Sequence, residues 1–500
     1  MGRPLDRRVA RLSRNPTYGL CRAACTALVL LCLGAPPALA QGSTVEPWSQ
    51  AQGGPGHPGA LSDGPAPPYR LAWTFRATDG TVSGAVVAGR VVITVGHHAV
   101  YGIGLTSGEQ IWKLVRNGGP LSMPAVGTVG GRRVLAFVDE STGGGPSLVG
   151  VDLGSLRELW RTPLKTTSRS GVTIDGSQVF VADDDGNVYA VDLATGTLLW
   201  TAAANGEVLT PPAVSDGHVY VVARDENEQR SQLVALDQAN GKPAWPAFRA
   251  PVSGSTGSGA AARDGAVVAG FADRVVRELS ARDGTERWSA LGLSLFSPAN
   301  LPAFTSDRVY VADVAGGLYA FDAGTGERAW DYQLNDVVVR SSPVVSGSTV
   351  LLGLNDGRLV AIDASTGDLV WQSAPRQGLI GAIALSPDLV IAVKGGRYPG
   401  LVAYEHDPSG TLVGEPSPTV PNPGRLVGNY ALALVVAFVL VLVPSRLLSR
   451  RLGPAPFPSS GSLEEGGEWE DSDENEMEGD EVGREDASRS DRDPNRSEPG

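Results

Sequence analysis

The chain has 500 residues and a formal net charge of −13, with Gly at 64 and Pro at 36. Most of that charge lies near the C-terminus, and the repeated part of the chain carries no basic run long enough to suggest nucleic-acid binding. With 42% hydrophobic residues the chain is not disordered throughout, and with three cysteines it is not a disulfide scaffold.

Residues 1–40 read as a signal peptide. Arg3, Arg7, Arg8, Arg11, Arg14 and Arg22 form a positive leader, and Ala23 to Leu33 form an apolar core. Ala38-Leu39-Ala40 is a small-x-small cleavage site before Gln41. The core is short for a membrane span. Cys21, Cys25 and Cys32 all lie in this leader, so the mature chain is expected to have none. Leu31 stands where lipid attachment at Cys32 would require a small residue. Residues 41–68, with GGPGHPG and GPAPP, show no periodicity and read as a flexible N-terminal segment leading into the folded part of the chain.

From Tyr69 onward the chain repeats itself. VYAVDLATGTLLW ends at Trp200, LVALDQANGKPAW at Trp245, LYAFDAGTGERAW at Trp330 and LVAIDASTGDLVW at Trp371. Weaker copies end at Trp112, Trp160 and Trp288. Within Ser341 to Trp371, turn signals at Ser346-Gly347, Asn355-Asp356-Gly357 and Ser365-Thr366-Gly367 divide the unit into four short antiparallel strands. A four-stranded sheet that is apolar on both faces must stack on its like. Trp73, Trp112, Trp160, Trp200, Trp245, Trp288, Trp330 and Trp371 are separated by 39, 48, 40, 45, 43, 42 and 41 residues. Four strands at that period indicate propeller blades.

Seven units lie between Trp73 and Trp371, and three more strand-like runs come after them: GLIGAIALS, LVIAVKGG and LVAYEHD. The strand carrying Trp73 is expected to join those three. The predicted fold is therefore all-β: an eight-bladed propeller over residues 69–407, closed by its N-terminal strand. Closure removes the exposed sheet edge. The small residues Ala190, Ala235, Ala320, Ala361 and Ala403, with Gly102 and Gly150, would let an indole lie close to the backbone. Burial of one Trp removes about 200 Å² from water, roughly 3–5 kcal/mol. Asp152, Asp192, Asp237, Asp322 and Asp363, each eight before its Trp, would bond the amides of the next turn. The eight tryptophans are thus structural blade-docking residues.

The pattern A-x-D-x-x-x-G-x-x-x-W, intact at residues 190–200, 235–245, 320–330 and 361–371, resembles the tryptophan-docking repeat of the pyrroloquinoline-quinone-like (PQQ-like) β-propellers. That group includes quinoprotein alcohol dehydrogenases and the outer-membrane assembly lipoprotein of Gram-negative bacteria. The resemblance covers about Tyr69 to Asp407 and implies the fold; the same repeat serves enzymes and scaffolds.

Longer turns occur at DESTGGGPS, residues 139–147, and RDENEQR, residues 224–230. Residues 408–425 form a Pro-rich linker. LVGNYALALVVAFVLVLV, Leu426 to Val443, has no charge and the length of a transmembrane helix, set at 426–444. Arg446, Arg450 and Arg451 come next, which places the C-terminus in the cytoplasm and the propeller outside. Residues 445–500 form a cytoplasmic acidic tail, with 16 acidic residues against 4 arginines after residue 451. The tail is expected to be disordered and is a candidate for docking to a basic cytoplasmic partner.

Asp183-Asp184-Asp185-Gly186-Asn187 falls at the hairpin position of Asn355-Asp356-Gly357 and reads as a turn before it reads as a calcium loop. His97-His98 occupies the same turn position without a third ligand nearby. Residues at the starts of inner strands, Ser122, Ser168, Arg169, Thr210, Ser253, Ser297, Arg340 and Ser341, would line a central funnel. In the quinoprotein dehydrogenases Ca²⁺ held by Glu and Asn polarises the quinone, with a catalytic Asp and adjacent cysteines. The resemblance places no such constellation on this chain. No catalytic, cofactor or metal residue is assigned. The expected function is a non-enzymatic binding or scaffold module for an envelope protein or polysaccharide, membrane-anchored by one span, with no cofactor. The alternatives are a PQQ-dependent oxidoreductase, with PQQ and calcium, and a ligand sensor signalling through the tail.

Overall fold

A computed structural model describes residues 48–412, apart from residues 81, 142–143, 226–229, 251–257, 272, 292–299 and 336. The leader, the 426–444 stretch and the acidic tail lie outside the described residues. Among the described residues no helix is long and apolar enough to cross a membrane.

The described residues form eight blades of four antiparallel strands, one of them extended by a short fifth strand that pairs in parallel. Blade 1 is Val82–Ala88, Val91–Gly96, Ala99–Gly104 and Gln110–Val115. Blade 3 is Val172–Asp175, Gln178–Ala182, Asn187–Asp192 and Leu198–Ala203, and blade 7 is Val344–Ser346, Thr349–Gly353, Leu359–Asp363 and Leu369–Gln372. In each the first strand is innermost and the last carries the Trp. Innermost strands of neighbouring blades touch, and so enclose a central bore. Blade 8 takes its inner three strands, Ile380–Leu385, Leu389–Lys394 and Gly400–His406, from the C-terminal end. Its outer strand is Tyr69–Arg76, in register with Trp73 opposite Ala403 and Leu71 opposite Tyr404. Blade 4 keeps only Phe248–Arg249 as its outer strand. Pro243 and Pro246 flank Trp245 and cannot donate to a ladder.

The repeated motif works as a relay between blades. Its small residue lies directly opposite its own Trp: Ala190 faces Trp200, Ala320 faces Trp330 and Gly102 faces Trp112. A Cβ added at Gly102 would sit 2.0 Å from that indole. The ring then leans onto the next blade. The indole N–H of Trp160 donates to the Leu193 carbonyl at 2.9 Å, that of Trp200 to Gln238 at 3.0 Å, and that of Trp288 to Ala323 at 3.1 Å. Trp73 of blade 8 donates to Leu105 of blade 1 at 2.8 Å, which closes the circle. The turn Gly of the receiving blade lies under the ring. Gly196 has φ +72, and a Cβ there would come within 2.6 Å of Trp160. The motif Asp holds that turn: Asp192 accepts from the Ala194 and Thr195 amides at 3.1 and 2.9 Å. Asp322 does the same for Gly324 and Thr325, and these amides hold its carboxyl below the usual range.

Blade 2 breaks the pattern. Leu156 stands at the turn-Gly position with φ +56. Trp112, packed beside Leu153 of blade 2, is partly buried and makes no indole hydrogen bond among the described residues. Trp371 meets blade 8 by another route, packing edge-on against Tyr69 at 5.0 Å and near Tyr404 at 5.9 Å. In blade 8 the third and fourth strands come from opposite ends of the chain, so no turn Gly joins them.

The reading of residues 41–68 as a flexible segment is corrected for 48–68. Trp48 and His57 are fully buried, and Gln50 and Gln52 nearly so. The segment runs along the inner wall of the bore and bonds one innermost strand after another. The Trp48, Ser49, Pro55, Gly56, Pro58 and Gly59 carbonyls accept from the amides of Val87, Val126, Val214, Ala262, Phe304 and Val345 at 2.7–2.8 Å. At blade 3 the Gln50 side chain does this work, accepting from the Ile174 amide at 2.7 Å and donating to its carbonyl at 3.1 Å. Ala60–Leu61 then pairs in parallel with Val345–Ser346. The Gly-rich composition has a steric reason: a Cβ at Gly56 would lie 2.1 Å from the Ala262 carbonyl oxygen.

His57 pins this strap. Its Nδ1 lies 2.8 Å from the Ala51 carbonyl oxygen and its Nε2 3.0 Å from that of Pro212. A neutral ring can donate to only one. Burial outweighs these carbonyls and holds the His57 pKa below 6.5. The fold therefore binds fewer protons here than the unfolded chain, and stability falls as pH drops below about 6.5. The turn carboxylates act only in a lower window, where they protonate.

Two outcomes are expected. Trp160→Ala should cost about 3–5 kcal/mol in equilibrium urea denaturation and Trp112→Ala less, because its ring is only partly buried and makes no indole hydrogen bond among the described residues. Between pH 6.5 and 5 the wild-type chain should lose up to about 1.4 kcal/mol per pH unit through His57. His57→Asn tolerates the left-handed backbone and should flatten that slope in melts measured against pH.

Candidate functional site

The strap closes one end of the bore, where each innermost strand turns into the second. The other end stays open as a cup of about 260 Å³. Ala51 and Gln52 of the strap form its floor, and Leu121, Met123, Leu209, Leu301 and Ile383 line its wall. The innermost strands approach closely through glycine here: a Cβ at Gly84 would meet Met123 at 2.3 Å. Among the described residues Arg169 is the one charged residue lining the cup.

Arg169 is half exposed and already partnered. It bonds Asp184 at 3.1 Å and Glu207 at 2.6 Å, tying the second hairpin of blade 3 to the connection into blade 4. Arg224 approaches the same Glu207 at 3.7 Å.

The other funnel residues named from sequence divide. Ser168 is buried and donates to the Ala182 carbonyl at 2.6 Å. Ser341 is buried and accepts from the Gly353 amide at 2.7 Å. Thr210 is buried against the Gly259 backbone. Ser122 is fully buried, and its hydroxyl has no hydrogen-bond partner among the described residues. Arg340 is exposed. Ser253 and Ser297 lie outside the described residues. None of the placed serines or Thr210 offers a free polar group to the bore's solvent.

Sequence reasoning missed a related series. Ser83, Ser170 and Ser258 accept from the amides of Val95, Ala182 and Gly270 at 3.2, 3.2 and 2.7 Å, as Ser341 does from Gly353. Each pins the start of an innermost strand to the end of the second. The signal was available: Ser170 and Ser341 each lie 22 residues before the motif Asp.

The hairpin carboxylates on the open face are internal fasteners. Asp183 accepts from the Asn187 amide at 2.8 Å and the Tyr189 hydroxyl at 2.7 Å. Asp313 repeats this with Gly317 and Tyr319, at 2.8 and 2.7 Å. Burial and the neighbouring carboxylate push both phenols up. The DDDGN run is thus a locked turn. Among the described residues no cluster of three or more His, Cys, Asp or Glu is placed to hold a metal.

A second hollow, open and about 430 Å³, lies between blades 1 and 2 on the same face. His97, His98, Asn117 and Glu140 border it, and the two exposed imidazoles stand 4.4 Å apart. Beneath it Arg116 is buried, donating to the Gly96 and Val138 carbonyls at 2.9 and 2.8 Å. Asp139, also buried, faces both Arg116 and Arg161, at 3.7 and 3.2 Å. This triad fixes the loop that separates the hollow from the cup.

Among the described residues the open face offers hairpins locked by internal hydrogen bonds, a largely apolar cup and the paired charges of Arg169, Asp184 and Glu207. Such an arrangement can recognise and hold. Among the described residues it brings together no nucleophile with a base.

Comparison with known proteins agrees on architecture. The family profile described as outer membrane protein assembly factor BamB matches residues 144–295 and 293–380. The chain is 27% identical over 328 residues to that assembly factor of Burkholderia pseudomallei, covering 61% of this chain and 79% of the relative. It is 26% identical over 274 residues to that of Moranella endobia, covering 50% and 68%. Among solved structures, BamB from Moraxella catarrhalis superposes with a TM-score of 0.52 at 18% identity, over 68% of this chain and all of that one. Quinohemoprotein alcohol dehydrogenase from Comamonas testosteroni superposes at 0.57 with 13% identity, over 75% and 84%. The chain is an eight-bladed β-propeller whose repeats are similar to those of the PQQ-like propellers over residues 144–380.

Asp139→Ala would leave Arg116 buried without its carboxylate. The change should cost about 3–5 kcal/mol in chemical denaturation. Arg340→Ala, exposed on the same face, should leave stability within about 0.5 kcal/mol.

Proposed function

We propose that this chain is a membrane-anchored, extracytoplasmic propeller that acts as a non-enzymatic scaffold for cell-envelope partners. The observation that carries the reading is the open face: sealed behind by the strap, it presents among the described residues a cup walled largely by apolar side chains, whose charged residue Arg169 is held by Asp184 and Glu207. The match to outer-membrane assembly factors supports it from a second direction. Under this reading the partner is an envelope protein, with a polysaccharide as the less favoured ligand. The anchor is the 426–444 stretch, and the acidic tail is left in the cytoplasm to meet a basic partner.

The likeness to quinohemoprotein dehydrogenases keeps a PQQ-dependent oxidoreductase as the rival. The residues in hand do not fit that cofactor. Among the described residues the cup presents no carboxylate to hold calcium and no acid to take a proton, and its floor is filled by Ala51 and Gln52. A sensor that signals through the tail needs ligand-dependent clustering, because one helix transmits little rotation.

A single mature cysteine gives the test. Val115, 86% exposed, sits where the outer strand of blade 1 runs into the open-face loop. Asp388 lies exposed in a first-hairpin turn on the strap side. A photocrosslinker on Val115→Cys in whole cells should capture one envelope protein identifiable by mass spectrometry, and one on Asp388→Cys should not. Equal capture from both, or none from Val115, overturns the reading. A rise in melting temperature that requires both PQQ and Ca²⁺ would favour the oxidoreductase instead.

A further inference from the structure

The strap touches the ring at equivalent places. Val87, Val126, Ile174, Val214, Ala262, Phe304 and Val345 each occupy the same position in the innermost strand of their blade, and each amide takes one acceptor from residues 48–59. An innermost strand has a partner on one side only. Its other edge faces the bore, where water is excluded once the segment is in place. Seven edge amides thus converge on one axis, and the fold supplies no acceptor for them except this segment. The pairing is peptide recognition of the strand-addition kind, bent into a circle.

The ring also reads side chains. Trp48 is fully buried between blades 7, 8 and 1. Gln50 makes its two-bond match with Ile174, and His57 fills a site bounded by Thr173 and Pro212. Gly56 and Gly59 must be glycine, since a Cβ would meet Ala262 at 2.1 Å and Ala303 at 2.7 Å. Beyond Leu61, by contrast, Ser62 and Asp63 are exposed. The occupant is therefore a defined sequence joined to the propeller by an accessible turn.

We propose that the ring of bore-facing amides is a peptide-binding site whose resident ligand is residues 48–61, and that the same segment supplied by a second copy of the chain can take its place. The site lies beneath the open-face cup, whose floor the strap residues Ala51 and Gln52 form, and the proposal does not depend on the scaffold reading. It would allow chains to exchange straps and so link propellers in pairs.

The test uses the whole exported chain with a protease site inserted between Ser62 and Asp63. After cutting, a fluorescein-labelled peptide of residues 47–61 is added. Fluorescence anisotropy should show one peptide bound per cut chain, none on the uncut chain, and release of the resident fragment on size exclusion. A peptide carrying Gln50→Ala and His57→Ala should bind at least about ten-fold more weakly. The proposal fails if the cut chain, still folded by circular dichroism, never takes up the peptide. It fails equally if the chain unfolds as soon as the fragment leaves, which would make the segment core rather than ligand. It fails as well if the altered peptide binds as tightly as the native one.

Discussion

The structure depends on an indole leaning across a gap between two sheets. A blade cannot bury both apolar faces by itself, and twisted sheets meet their neighbours only along part of their width. Trp closes the outer part of that gap. It needs three things at once: a small residue opposite it in its own blade, a flat turn to rest on in the next, and a carbonyl for its N–H. Ala190, Gly196 and Leu193 show one case of each around Trp200 and Trp160. The motif is thus a statement about two neighbours, and a change in one blade is felt at the next. Blade 2 shows the consequence within one molecule. Leu156 takes the place of the turn Gly, and Trp112 is left partly buried with no indole hydrogen bond among the described residues.

Ring closure creates a second problem at the axis. Eight innermost strands bring eight free edges into a space where bulk water is scarce. A buried amide without an acceptor costs about 1–3 kcal/mol. The outer strand of each blade can leave its free edge to solvent, but at the axis the N-terminal segment covers seven edges with one pass. That solution has a functional consequence. With one end of the bore closed, a ligand or partner approaching the axis must come from the open face. The loops, the cup and the His97-His98 hollow all lie there.

Periodic features of the sequence were the legible ones. Trp spacing, the turn aspartates and the small residues repeat, and a repeat announces the geometry that needs it. The closing strand was legible by subtraction, since three strands were left over at one end and one at the other. The strap was not legible. GGPGHPG has the composition of a linker, because close backbone approach and chain flexibility ask for the same residue. What separates them is a partner 200 or more residues away, such as Ala262 for Gly56, and no local pattern carries that. The serine series fell between. Its spacing to the motif Asp is regular in the chain, yet Ser170 hides among other small residues until the amide of Ala182 is seen to need it.

Function is harder to read for a reason built into the fold. Docking residues and strap account for most of what is regular in this chain, and they would be the same whether the open face held a cofactor or a protein. What separates the two is the polarity of the few side chains around the axis. An oxidoreductase of this architecture must spend carboxylates and amides there on a metal and a proton. Here the carboxylates nearest the mouth, Asp184 and Glu207, are turned to Arg169, and Asp183 is consumed by its own hairpin. Charges neutralised in pairs cannot polarise a substrate, but they do hold loops in fixed places at little electrostatic cost to an approaching surface. A face organised in that way is suited to contact over an area, with the apolar cup as its centre.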